Sequence, residues 1–175
     1  CGSNITVILL HFISMAYLLN RDRNVQTMTE QTDMIKLYST RILALAADMP
    51  HVGRLANPNG SAMRRSPLCG SKVTVDVTLL DGRIVDFSQD VKACALGQAA
   101  ASIAGHQMIG RTLAQVEIAR DELAAMLKGT GTVPAAPFDG FEILTPAVDY
   151  KNRHASILLA LQATADACAI AAKPL

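Results

Sequence analysis

A two-residue turn limits the folds open to this chain more than anything else in it. Val73, Val75, Val77 and Leu79 alternate with Thr74, Asp76 and Thr78, and a second apolar run, 84–91, follows Asp81-Gly82. Alternation with a period of two marks a half-buried strand, and an Asp-Gly loop between two such runs closes a β-hairpin. The consequence is chemical as well as structural. Cys69 in Pro67-Leu68-Cys69-Gly70-Ser71 and Cys94 in Ala93-Cys94-Ala95 are 25 positions apart in sequence. The hairpin makes them neighbours. His154 opens a helix much later in the chain, and two soft thiolates with an imidazole on short loops suit a metal ion or an iron–sulfur cluster.

The rest of the chain reads as helices around this hairpin. Ile35, Tyr38, Ile42, Leu45 and Met49 recur at three- and four-residue steps, so a helix is predicted over 32–49, ended by Pro50 and Gly53. A turn-rich connector, 55–60, leads to a short polar edge strand over 61–66. Residues 95–109 are rich in Ala, Gly and Ser, which suits a helix pressed close against a sheet, with Gly110 as its cap. A further helix is predicted over 112–127, a turning loop over 129–140 and a last helix over 152–171. Helix, then sheet, then several helices predicts an α+β fold, with about three antiparallel strands covered on one face by four to five helices.

Residues 1–27 read differently. Ile5–Leu19 is 15 largely apolar residues, shorter than the roughly 20 a spanning helix needs, without the basic start and cleavage site of a signal peptide. Met28-Thr-Glu-Gln-Thr-Asp looks like a natural start. We therefore read 1–27 as an extension outside the fold, with a membrane or signal segment and a lipidated Cys1 as alternatives, and 28–175 as the domain. That domain carries 14 basic and 14 acidic side chains, with no Lys/Arg run and few aromatics. Nucleic-acid binding and electrostatic membrane attachment are poor readings of such a surface. An aliphatic chain of this size needs no disulfide staples, so Cys1, Cys69, Cys94 and Cys168 are expected as thiols in a reducing, cytoplasmic setting.

The candidate residues differ in how well position supports them. Cys69 lies in a turn before a strand, where a site role is more natural than a core role. Cys94 opens a helix, which suits either a thiolate stabilised by the helix N-terminus or a small buried residue among alanines. His154 stands in a first helical turn, where a lone His is more often solvated than a ligand. Ser71 lies on the same side of an extended segment as Cys69, but a neutral hydroxyl is a weak ligand for a soft metal. Cys168 falls on the apolar stripe of the last helix, about 20 Å up its axis from His154, and reads as core. No Cys-x-x-Cys, His-Glu-x-x-His, Gly-Lys-Ser/Thr or Gly-x-Ser-x-Gly pattern occurs, so hydrolase and nucleotide-binding readings lack support.

Taken in order, these residues resemble the NifU N-terminal/IscU family of iron–sulfur cluster assembly scaffolds. The likeness runs through Tyr38-Ser-Thr-Arg-Ile-Leu, Pro50-His-Val-Gly-Arg-Leu, Pro67-Leu-Cys69-Gly-Ser, Leu80-Asp-Gly-Arg-Ile-Val-Asp-Phe, Ala93-Cys94-Ala95 and Asn152-Arg-His154-Ala155-Ser-Ile-Leu. The resemblance implies a non-enzymatic α+β scaffold that holds a [2Fe–2S] cluster or iron, or Zn²⁺ at the same place, with Cys69, Cys94 and His154 as ligands. It implies a cysteine desulfurase as sulfur source and apo-iron–sulfur proteins as recipients. Two positions and one motif depart from the pattern. The family's aspartate after Cys-Gly is Ser71, its third cysteine and sulfur acceptor is Ala155, and Thr145-Pro-Ala-Val-Asp-Tyr replaces its Leu-Pro-Pro-Val-Lys motif. A [2Fe–2S] cluster normally takes four protein ligands. The fourth here would be Ser71, a small thiol, a partner residue or a second subunit in a homodimer around the cluster, which makes a labile cluster the expectation. A degenerate member acting as a protein-binding or regulatory module is the alternative. A zinc enzyme is a third reading, but it lacks a general base beside the ligand motifs.

Overall fold

The computed structural model describes residues 39–67 and 69–173. The expectations for residues 1–38, including Cys1 and the extension, lie outside the described residues. Strands β1 (Gly60–Arg65), β2 (Lys72–Leu80) and β3 (Arg83–Lys92) form one antiparallel sheet in the order β1-β2-β3. Asp81 and Gly82 both take positive φ, 50° and 73°, the backbone that a two-residue hairpin turn requires. Lys72 pairs with Arg65 on one side and with Lys92 on the other. The loop 66–71 and the step into Ala93-Cys94 therefore leave the sheet at the same end.

Around the sheet are α1 (Thr40–Ala47), α2 (Ala95–Gly105), α3 (Leu113–Leu127), a 3-10 segment (Asp139–Asp149) and α4 (Lys151–Ala171). This is the α+β arrangement that the sequence predicts. Helix α4 crosses β1 and β2 and is flanked by α2 and α3. Val73, Val75, Val77, Ile84, Phe87 and Leu96 are buried in the core together with Ile157 and Leu161 of the helix itself, each aliphatic side chain contributing about 2 kcal/mol by leaving water. Contact between β1 and α4 depends on Gly60, where a Cβ would stand 2.1 Å from the Ala167 carbonyl oxygen. Helix α4 is long and apolar enough to cross a membrane by length and composition. Ten of its 21 residues, however, are buried in this core, and Cys168 is among them, as expected.

Two helix boundaries differ from the sequence reading. The helix expected over 32–49 runs, among the described residues, from Thr40 to Ala47, and Ser39 caps it by accepting a hydrogen bond from the Ile42 amide at 3.4 Å. The second ends at Gly105, and Gly110 is not its cap. Residues 106–112 turn back to the sheet, where the Gly110 amide donates to the Ile84 carbonyl at 2.7 Å and the Ile84 amide to the Arg111 carbonyl at 2.9 Å. Closing that part of the β3 edge satisfies backbone groups that a longer helix would leave exposed. Helix α3 starts as its sequence predicts, with Thr112 and Gln115 forming a capping box. The 3-10 segment had no counterpart in the sequence reading.

Candidate functional site

Sheet register puts the two thiols at one end of the sheet. The loop carrying Cys69 is a tight connection, closed by the Ser66 amide donating to the Ser71 carbonyl at 2.8 Å and by Gly70 at positive φ. Cys94 occupies the N-cap position of α2, immediately after β3. Its thiol does not cap the helix. It lies 3.5 Å from Ser156 Oγ on the second turn of α4. Ser156 in turn donates to Ser71 Oγ at 3.1 Å, and Ser71 Oγ lies 3.0 Å from Cys69 Sγ. The two cysteines are thus joined by a short chain, Cys94–Ser156–Ser71–Cys69, whose serines are both buried.

Close approach of α2 to α4 makes this chain possible. A Cβ on Gly97 would stand 2.4 Å from Ser156 Oγ and 2.8 Å from Ala93 Cβ, so only glycine lets Ser156 reach the space beside Cys94.

Cys69 is exposed, whereas Cys94 is half-buried. Ser66 Oγ also lies 3.3 Å from Cys69 Sγ. Once Cys69 ionises, the Ser66 and Ser71 hydroxyls both donate to its sulfur. These bonds, Ser66 first and then Ser71, lower the Cys69 thiol to about 7 against the cost of partial desolvation. Burial alone pushes Cys168 the other way, up to about 11. The two thiols thus differ in kind: Cys69 is exposed and eased toward ionisation, whereas Cys168 is buried and held protonated at neutral pH.

His154 is half-buried on the first turn of α4, and its Nε2 donates to the Ala147 carbonyl at 2.9 Å. That bond leaves Nδ1 as the lone-pair nitrogen of the neutral ring, an orientation in which backbone carbonyls commonly hold ligating histidines. Ala155 follows it, with no donor atom. Among the described residues, no group of three or more His, Cys, Asp or Glu side chains is arranged to hold a metal ion. The structure therefore brings together Cys69, Cys94 and Ser71, while His154 is turned to the carbonyl. The cleft between α3 and residues 135–138, lined by Arg111, Glu122 and Phe138, contains none of these residues.

Sequence reasoning missed Ser66 and Ser156 as members of the site. A signal existed for Ser156: it precedes Ala160, Ala163 and Thr164 at helical spacing, a polar residue on a buried small-residue face. Ser66 carried none, since its hydroxyl meets Cys69 only because the loop folds back.

The NifU-like N terminal domain family matches residues 37–156. The crystal structure of the N-terminal part of a nitrogen-fixing NifU-like protein from Brucella abortus is similar, with 42% sequence identity and a TM-score of 0.76. The match covers 79% of this chain and 96% of that one. Two proteins of Archaeoglobus fulgidus, named iron-sulfur cluster assembly scaffold proteins IscU, are each 28% identical over 94 residues. That stretch is 53% of this chain and spans 61% of the length of these curated relatives.

Proposed function

The chain belongs to the NifU-like N terminal domain family, and on that premise we propose that its domain, residues 28–175, is a scaffold or carrier for iron–sulfur cargo. Cys69 and Cys94 hold the cargo, with His154 Nδ1 and the Ser71 hydroxyl as further donors. A cysteine desulfurase supplies the sulfur, and apo-iron–sulfur proteins receive the product. The observation that carries this reading is the pair of thiols linked through Ser71 and Ser156. One thiol is exposed and held toward ionisation, and both are reachable from the same end of the sheet. Thiolate donors suit iron in a cluster, and also suit Zn²⁺ with an imidazole and one open position.

Anaerobic reconstitution with iron and sulfide tests the proposal. Wild type is expected to give visible absorbance that Cys69→Ala with Cys94→Ala abolishes. Equal, featureless spectra from both would sink the cluster assignment.

A second reading, a cluster-free binding or regulatory module, is favoured by one particular: Ala155, beside His154, adds no donor. Ala155→Cys separates the readings. On the scaffold reading it lengthens the lifetime of the reconstituted cluster several-fold by completing the ligand set. On the module reading it changes nothing.

A further inference from the structure

The cysteine end of the sheet has a second property that ligand chemistry does not explain. Arg65, Lys72 and Lys92 stand in one cross-strand row, Arg65 opposite Lys72 and Lys72 opposite Lys92. Strand spacing sets the row at about 10 Å across three strands. Like charges directly opposite one another destabilise a sheet, so the row is not there for the fold. None of the three cations takes part in an ion pair among the described residues, where the basic partners are Arg54, Arg64 and Arg120. Asp90 is the nearest acidic position on that face, two residues along β3 from Lys92, and its charge acts on Arg54. The chain as a whole carries a net charge of only +1. This is local charge, not a generally basic surface.

Every member of the row adjoins the site. Arg65 precedes Ser66, Lys72 follows Ser71, and Lys92 lies two residues before Cys94. Met63, 55% exposed, stands on the same sheet face two residues from Arg65. Arg and Met are the side chains that protein interfaces favour, and an exposed Met offers nothing to a free anion, so the patch suits a protein surface better.

We propose that Arg65, Lys72 and Lys92 form a docking strip for an acidic protein surface, which it seats beside Cys69 and Cys94. The inference rests on the scaffold reading only in taking that partner to be a supplier of sulfur or a recipient of cargo. The strip orients the partner and speeds encounter, while the thiols do the chemistry.

The probe is a fluorescein-labelled, glutamate-rich peptide of about ten residues, followed by anisotropy in about 20 mM and about 200 mM salt. Wild type is expected to bind it, more weakly at the higher salt. Arg65→Glu with Lys92→Glu, both at exposed positions, is expected to weaken binding about tenfold and leave the circular dichroism spectrum and the reconstituted cluster absorbance unchanged. Lys72→Gln, which adds no new charge, should give a smaller loss in the same direction. The proposal is overturned if wild type ignores the peptide, if the charge-reversed variant binds it equally well, or if duplex DNA or anionic vesicles bind wild type as tightly through the same residues. Failure of wild type to reconstitute a cluster, with peptide binding intact, would count against the scaffold reading and not against the strip.

Discussion

The sheet carries two polar clusters, and they are built on opposite principles. In the middle of the outer face, the fully buried Asp76 receives Arg54 Nε at 2.6 Å and Nη2 at 2.9 Å, the Leu55 amide at 3.1 Å and Ser88 Oγ at 3.5 Å. Charge meets charge in a fork, and every acceptor has a donor. The Arg54 bonds hold the Asp76 carboxyl below its ordinary range. At the end of the sheet, Cys69, Ser71, Ser156 and Cys94 share single thiol and hydroxyl contacts of 3.0–3.5 Å, and one member opens to solvent. A saturated ion pair has nothing left to offer a ligand. An under-coordinated row of thiols and hydroxyls does. The first cluster ties the α1–β1 connector to the sheet, and the second is available for chemistry.

Removing Asp76 should break this contrast most severely. Asp76→Ala is expected to lose about 2 kcal/mol in urea unfolding, because the Leu55 amide and Ser88 hydroxyl are left without a charged acceptor while the exposed Arg54 returns to water. Cys69→Ala should stay within about 0.5 kcal/mol of wild type. Equal losses from the two variants would erase the distinction. The sign with pH follows from the depressed carboxyl. Its contribution is full above the unfolded value and is lost as pH falls through the lower folded one, so the gap between wild type and Asp76→Ala closes only in acid.

Gly97→Ala tests how firmly the thiol cluster depends on helix packing. The added methyl meets Ser156 Oγ and Ala93 Cβ, so α2 and α4 must part. We expect about 1 kcal/mol of destabilisation and a larger proportional loss of reconstituted absorbance. A drop in stability with cluster formation intact would show that the Cys94–Ser156 contact is dispensable.

The smallest effect sharpens the picture of Cys69. With its thiol at about 7, alkylation by iodoacetamide should be half-maximal near that pH, where an ordinary thiol is still protonated. Ser66→Ala removes the leading donor, raises the midpoint toward the ordinary value and slows alkylation at neutral pH about threefold. Cys168, pushed up to about 11 and fully buried, should label only on unfolding. An unchanged midpoint in Ser66→Ala would place the cause of Cys69 reactivity elsewhere.

Much of this was legible in the residues themselves. Strict alternation and an Asp-Gly pair dictate the β2–β3 hairpin, since no other local structure accepts both a period of two and consecutive positive φ values. The hairpin in turn dictates that Cys69 and Cys94 leave one end of the sheet. Thr112 with Gln115 marks the start of α3, and the apolar stripe of α4 places Cys168 in the core. Local chemistry decides local structure, and these are local facts.

What lay beyond reading depends on residues far apart in sequence. Ser156 reaches the site because Gly97 lets two helices touch. Ser66 turns toward Cys69 because its loop closes on itself. Gly110 serves the edge of β3 rather than the end of α2, because unpaired strand amides compete for the chain. The hairpin and the positions of its two cysteines belonged to the sequence alone. Tertiary structure decided which thiol is exposed and eased toward ionisation, which hydroxyls join the pair, and where His154 directs its Nε2. Those outcomes rest on contacts of a few ångströms between segments whose spacing is fixed only when the whole core closes.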